Sequence, residues 1–207
     1  MKKNNNLISF KIITIGNSGV GKTSILQRFV YNKFYKNTMT TVGLNNIVKN
    51  IILNNGEEIE LQLFDTAGQE KFRSLSKSYF RNTDAVLFVF AINNKKSFED
   101  IENWVNIFRD NYYLNIPLFL IENKNDLNRE VNENLIDDFL EKNKNFRFKS
   151  TSASLNNDNS INELFQELGE ILYKHSINSM DNTTQKKKVI LGRKKRKQLP
   201  VGCREDI

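Results

Sequence analysis

Gly16-Asn17-Ser18-Gly19-Val20-Gly21-Lys22-Thr23 stands between an apolar run, Ile8 to Ile15, and a segment with helical apolar spacing at Ile25, Leu26, Phe29 and Val30. Few strings of eight residues constrain a fold as tightly. The glycines let successive backbone N–H groups converge on one point, and the helix start that follows adds partial positive charge. A lysine and a hydroxyl then complete a cradle for phosphate oxygens, with Lys22 reaching the β and γ phosphates of a nucleotide and Thr23 able to ligate Mg²⁺. The spacing G-x-x-x-x-G-K-[ST] requires strand, loop and helix in that order, and the flanking periodicities provide it. The loop alone does not separate adenine from guanine nucleotides.

The rest of the chain keeps switching between strand and helix periods, as in an α/β fold. Ile47 to Leu53 and Ile59 to Phe64 flank Asn54-Asn55-Gly56, a turn composition that predicts an antiparallel hairpin. Ala85 to Ile92 is continuously apolar, as a strand covered on both faces must be. Ile101, Trp104, Val105 and Phe108 lie at helical spacing, and Pro117 to Ile121 reads as another central strand. Val131 to Leu140 predicts a helix, Phe146 to Ser150 a short strand, and Ile161 to Tyr173 a final helix. Trp104 reads as core, and His175 as a solvated residue with no second His or Cys placed to form a metal site.

At 207 residues the chain allows one ordinary domain with a little to spare. Hydrophobic residues make up 39%, which excludes a wholly disordered chain. No apolar run approaches the ~20 residues of a membrane-spanning helix. A single cysteine, Cys203, excludes an internal disulfide framework, and the basic start Met1-Lys2-Lys3 lacks the apolar stretch of a secretory leader. The net charge of +7 belongs entirely to one end: residues 186–207 carry nine basic and two acidic side chains, and the remainder is balanced. Apolar periodicity stops after about Ser176, so we divide the chain at 178, with a nucleotide-binding domain before it and a flexible basic tail over 179–207. An anionic partner would meet the tail and not the body.

Two further strand ends carry chemistry. Asp65-Thr66-Ala67-Gly68-Gln69-Glu70 would place a carboxylate at the phosphate pocket to hold Mg²⁺, a Gly68 N–H for the γ-phosphate, and Gln69 to orient an attacking water. Asn123-Lys124-Asn125-Asp126 decides the base. A carboxylate accepting two N–H bonds from a guanine edge rejects adenine, and Ala153 in Thr151-Ser152-Ala153-Ser154 can give its backbone N–H to the guanine O6.

Taken in order, Gly16 to Thr23, Thr41-Val42-Gly43, Asp65 to Glu70, Asn123 to Asp126 and Thr151 to Ala153 resemble the Ras superfamily of small GTPases over roughly residues 8–176. Leu61 to Asp65, Lys71-Phe72-Arg73-Ser74-Leu75 and Ser78-Tyr79-Phe80-Arg81-Asn82 are most similar to Rab proteins. The resemblance implies a P-loop GTPase domain: a six-stranded, mainly parallel sheet with helices on both faces. It implies a switch that hydrolyses GTP with Mg²⁺, slowly unless an activating protein assists, and that serves intracellular vesicle traffic. Gln69, Lys22 and Thr41 are the implied catalytic residues, and Thr23, Thr41 and Asp65 the implied Mg²⁺ ligands. The implied nucleotide contacts are Gly16, Asn17, Ser18, Gly19, Val20, Gly21, Lys22, Thr23, Ser24, Phe34, Thr41, Asp65, Gly68, Asn123, Lys124, Asp126, Ser152 and Ala153. Among these, Phe34 matches the aromatic that packs on the guanine, and Thr41 the threonine that senses the γ-phosphate.

Four positions depart from the pattern: Asn46 where Rab proteins usually have Phe, Phe64 for Trp, Ser154 for Lys, and Glu122 for Gly, the last without a reason visible in the sequence. Implied partners are an exchange factor, an activating protein and effectors that read switch I and switch II. The tail has three readings: a segment for an anionic membrane surface, a nuclear or nucleic-acid-binding stretch, and a solvated spacer. The first is preferred and a nucleic-acid partner is not expected, which places the protein in the cytoplasm and, peripherally, on the cytosolic face of intracellular membranes. Cys203 is fifth from the end, whereas a C-a-a-X lipid signal needs it fourth. The competing functions are a nuclear-transport GTPase like Ran and a nucleotide-binding scaffold that does not cycle. Thr41 and Gln69 argue against the scaffold, and the segments around Phe72 and Tyr79 against Ran.

Overall fold

A computed structural model describes residues 7–36, 44–66, 80–111 and 116–195. In chain order the elements are β1 (Ile8–Ile15), α1 (Lys22–Tyr31), β2 (Leu44–Ile52), β3 (Glu58–Thr66), β4 (Ala85–Ala91), α2 (Lys95–Glu99), α3 (Ile101–Asn111), β5 (Leu118–Asn123), α4 (Glu133–Lys142), β6 (Phe146–Thr151) and α5 (Ser160–Lys195). The strands form one six-stranded sheet in the order β2-β3-β1-β4-β5-β6. Only β2 runs antiparallel, paired with β3 from Leu44 opposite Thr66 to Ile52 opposite Glu58. The expected α/β architecture, six strands and mainly parallel, is the one observed.

Local chemistry explains the elements. Every residue of β4 and β5 is buried, because helices on both faces leave a central parallel strand no wet side. On β3 the burial alternates, with Ile59, Leu61 and Leu63 wholly buried between more exposed neighbours. Gly56, at φ +85°, closes the β2–β3 hairpin through its N–H to Leu53 O. One core joins Ile13, Ile15, Val86, Phe88, Phe90, Leu118 and Leu120 of the sheet to Trp104, Val105 and Phe108 of α3 and Ile136 of α4. Elsewhere Phe29 of α1 stacks on Phe165 of α5 with ring centroids 3.9 Å apart.

Several boundaries differ from the sequence pattern. The strand expected to end at Phe64 continues through Asp65 and Thr66, and the one expected to end at Ile121 continues through Glu122 and Asn123. Polar side chains there are buried by the loops they bond, so hydropathy alone ends both strands early. Val131 is fully buried ahead of α4, whose start is set by the Asn132 side chain accepting from the Asn134 N–H.

The chain divides into two compact units, residues 1–172 and 173–207. In the second unit the helical backbone continues to Lys195, through residues read from the sequence as a flexible tail. Apolar periodicity detects a helix only where its apolar residues recur at helical spacing, and here that spacing stops near Ser176. Residues 176–195 contain no proline and one glycine, Gly192. Among the described residues, no helix is long and apolar enough to cross a membrane.

Candidate functional site

Parallel strands β1, β3, β4 and β5 end on the same side of the sheet, where a doubly wound fold has its crevice. The loop after β1 is held by contacts no side chain could tolerate. A Cβ on Gly16 would lie 2.1 Å from Val89 O, and one on Gly21 would lie 2.2 Å from Asn123 Nδ2. Both glycines have positive φ, +149° and +98°. Gly21 caps α1 without a side-chain hydrogen bond, which leaves the first-turn amides to serve a ligand. Ser18 and Gly19 are exposed at the loop's tip, and Val20 and Ser24 are buried beneath it.

Lys22 folds back into the loop, its Nζ donating to Gly16 O at 2.8 Å and Asn17 O at 2.9 Å. Burial lowers its pKa to about 8, opposed by the nearby Asp65 carboxylate. Asp65 is brought to the loop by its pairing with Thr14 of β1, and its Oδ2 accepts from Thr23 Oγ1 at 2.6 Å. This pair of hard oxygen donors beside a phosphate cradle suits Mg²⁺, which takes few protein ligands and completes its shell with water and phosphate oxygens. Asn17 is gripped from α3 and its entry: Trp104 Nε1 donates to Asn17 Oδ1 at 2.8 Å, and Asn17 Nδ2 donates to Asp100 Oδ2 at 2.7 Å. Trp104 thus does more than fill the core. Burial raises the Asp100 pKa, but the Asn17 amide and Lys96 outweigh it, so the carboxyl lies below its usual value.

The second half of the crevice lies beyond β5 and β6. Asn123 is buried and donates through Nδ2 to Val20 O at 2.8 Å, tying the end of β5 to the loop after β1. Lys124 takes a left-handed φ of +65°, and burial lowers its pKa against the pull of Asp126. Asp126 accepts one hydroxyl on each oxygen, Ser152 Oγ at 2.5 Å and Ser154 Oγ at 2.7 Å. Burial raises the Asp126 pKa, but these two hydroxyls, its own backbone N–H and Lys124 together carry it below the ordinary carboxylate value. Phe34 is 39% exposed, so its ring has surface to offer a ligand. Thr41, Gly68 and Gln69 lie outside the described residues.

Three groups escaped the sequence reading. Buried Arg28 of α1 braces the loop around Ala153 from behind, through Nε to Ala153 O at 2.9 Å and Nη2 to Asn156 Oδ1 at 3.1 Å. A cation one residue before Phe29 on an apolar helix was the available signal. Arg129 and Ser150 explain Glu122: Arg129 donates Nη1 to Oε2 at 2.8 Å and Nη2 to Oε1 at 3.0 Å, and Ser150 Oγ donates to Oε1 at 2.9 Å. Ser150 Oγ in turn accepts from Asn125 Nδ2 at 3.2 Å. A carboxylate in the place of the usual glycine is therefore a fully bonded anchor behind residues 123–126.

The Ras family model matches residues 11–174. A probable Rab-related GTPase of Acanthamoeba polyphaga mimivirus is 36% identical over 78% of this chain and 77% of its own. The Ras-related protein Rab-11B of Dictyostelium discoideum is 37% identical over 83% of this chain and 79% of its own. The Ras-related protein SEC4 of Saccharomyces cerevisiae is 34% identical over 78% and 74% respectively. With that family model covering most of the chain and relatives of this identity and coverage, the chain belongs to the Ras family and is a Rab-like small GTPase that hydrolyses GTP.

Proposed function

We propose that the crevice binds GTP and GDP with Mg²⁺, and that the two nucleotide states present different surfaces to effectors in vesicle traffic. The observation that carries this is the Asn123 to Val20 hydrogen bond. It ties the strand end that leads to Asp126 to the loop that carries Lys22, which supports reading the two as halves of one nucleotide site. The cradle runs over Gly16, Asn17, Ser18, Gly19, Val20, Gly21, Lys22, Thr23 and Ser24. Phe34, Asn123, Lys124, Asp126, Ser152 and Ala153 bind the nucleoside. Mg²⁺, on Thr23, Thr41 and Asp65, supplies charge neutralisation at the phosphates when bound. In hydrolysis Gln69 orients the water, whose oxygen bonds to the γ-phosphorus as the bond to the bridging oxygen breaks. Lys22 and the Gly68 N–H meet the charge on the phosphate oxygens. An activating protein that supplies further positive charge would raise the rate by about 10³- to 10⁵-fold.

The basic segment over 179–207 is the membrane tether in this reading, placing the protein in the cytoplasm and on cytosolic membrane faces, with an exchange factor and effectors as its other partners. Relatives with Rab names favour this over a Ran-like transport role. The test is to identify the nucleotide that co-purifies and to follow its hydrolysis. Guanine nucleotide is expected in the wild type, Asp126→Asn should shift preference toward xanthosine nucleotides, and Gln69→Leu should bind GTP but hydrolyse it much more slowly. Unchanged base preference and unchanged single-turnover rates would remove both assignments.

A further inference from the structure

Ser154 stands where the family's lysine is missing, and its hydroxyl has a defined position in this chain. We propose that Ser154 is a specificity-determining positioning residue: with Ser152 it holds the Asp126 carboxylate so that its remaining lone pairs face a base edge with two adjacent N–H donors. The inference rests on the reading of Asp126 as the base-recognising group. An ionised carboxylate offers about four acceptor positions. Ser152 fills one on Oδ1 and Ser154 one on Oδ2, at 2.5 and 2.7 Å, so neither oxygen can turn without breaking a bond and the lone pairs left over keep one direction.

The direction of the protons is set by the surroundings. Ser152 Oγ accepts from the Ser154 N–H at 3.3 Å and the Leu155 N–H at 3.4 Å, so its own proton is left for Asp126. The two serine oxygens lie 3.0 Å apart, and Ser154 satisfies Asp126 Oδ2 without drawing on the Ser152 proton. Arg28 Nη2 fixes the Ser154 carbonyl at 3.4 Å, so the hydroxyl projects from a braced backbone. Two donated protons also favour the ionised carboxylate, which accepts only and so refuses a base that presents an acceptor in place of a donor. Alanine at 154 leaves Oδ2 free to rotate and easier to protonate.

The experiment compares wild type, Ser154→Ala and Ser154→Thr for binding of guanosine diphosphate and inosine diphosphate, which lacks the 2-amino donor, across acid pH. Thermal unfolding controls for folding. Ser154→Ala should bind guanosine diphosphate about 2- to 10-fold more weakly, the worth of one hydrogen bond. Its preference over inosine diphosphate should fall, and its acid limb should move to higher pH. Ser154→Thr, which keeps the hydroxyl, should return all three toward wild type. Equal behaviour of Ser154→Ala and wild type, or equal impairment of Ser154→Ala and Ser154→Thr, overturns the proposal. Asp126→Asn separates the two levels: if it leaves guanine preference intact, the base reading itself fails. If it abolishes that preference while Ser154→Ala is silent, only the role of Ser154 falls.

Discussion

Glu122 and Arg129 form the charged pair whose loss should be felt most widely. The Glu122 side chain is 2% exposed, and its two oxygens hold a bidentate Arg129 at 2.8 and 3.0 Å. Removing one partner of a buried pair typically costs about 3–5 kcal/mol, because the other charge is left desolvated. Arg129 is 34% exposed, so water can reach the vacated place, and the Ser150 hydroxyl still bonds the carboxylate. Both reduce the penalty, so Arg129→Ala should cost about 2–3 kcal/mol. Glu122→Gln, which keeps an acceptor but loses the charge, should cost about 1–2 kcal/mol. For a chain of this size the larger loss lowers Tm by roughly 5–10 °C. Replacing both partners with apolar residues, Glu122→Leu with Arg129→Met, should recover much of the stability, since no unpaired charge remains. It should not recover nucleotide affinity, because the link from Glu122 through Ser150 to Asn125 stays broken. Urea unfolding of Glu122→Leu, Arg129→Met and their combination at one fixed nucleotide excess gives the coupling energy, and nucleotide dissociation rates give the functional effect. Additive single costs, with coupling below about 0.5 kcal/mol, would refute the account of Glu122 as an anchor.

Other expectations follow from the same site. Lys22, at about 8 when nucleotide-free, must be charged to meet phosphate, so binding above that pH should take up a proton and weaken as pH rises. Calorimetry in buffers of different ionisation enthalpy checks this, and no proton uptake at pH 9 would contradict it. The sign for stability is the reverse: the unfolded chain holds more protons between about 8 and 10.5, so the nucleotide-free protein should gain stability across that window. Trp104 is the sole tryptophan and bonds Asn17 in the phosphate loop, so its fluorescence should respond to nucleotide in wild type and lose that response in Asn17→Ala. Each basic residue near an anionic surface contributes up to about 1 kcal/mol. Neutralising Lys194, Lys195, Arg196 and Lys197 should therefore release the protein from phosphatidylserine vesicles in a flotation assay, while Cys203→Ser changes little in unmodified protein.

Hydropathy and motif spacing carried most of the fold, because a run such as Ala85 to Ile92 fits a parallel strand covered on both faces and little else of that length. The strand, loop and helix around Gly16 to Thr23 were equally legible, and at Gly16 a backbone contact with Val89 O leaves no room for a side chain. What stayed hidden was partnership between distant polar residues. Arg28 and Ala153 are far apart in sequence, and nothing in either says that they meet. Glu122 looked like an anomaly because the cation that neutralises it lies seven residues on, in a loop with no pattern of its own. The length of α5 was not legible because apolar spacing stops near Ser176 while the helical backbone runs on to Lys195.

The end of the β2–β3 ladder, where Leu44 faces Thr66, has a mechanical consequence. The segment that carries Thr41 enters the ladder at this pair, and the segment that carries Gly68 and Gln69 leaves from it. Nine registered pairs lock the two strands, and a slip of one residue would shift a strand by about 3.3 Å and turn every side chain to the wrong face. The two strands therefore move as one unit, so a pull on the Leu44 end of β2 is carried directly to the Thr66 end of β3.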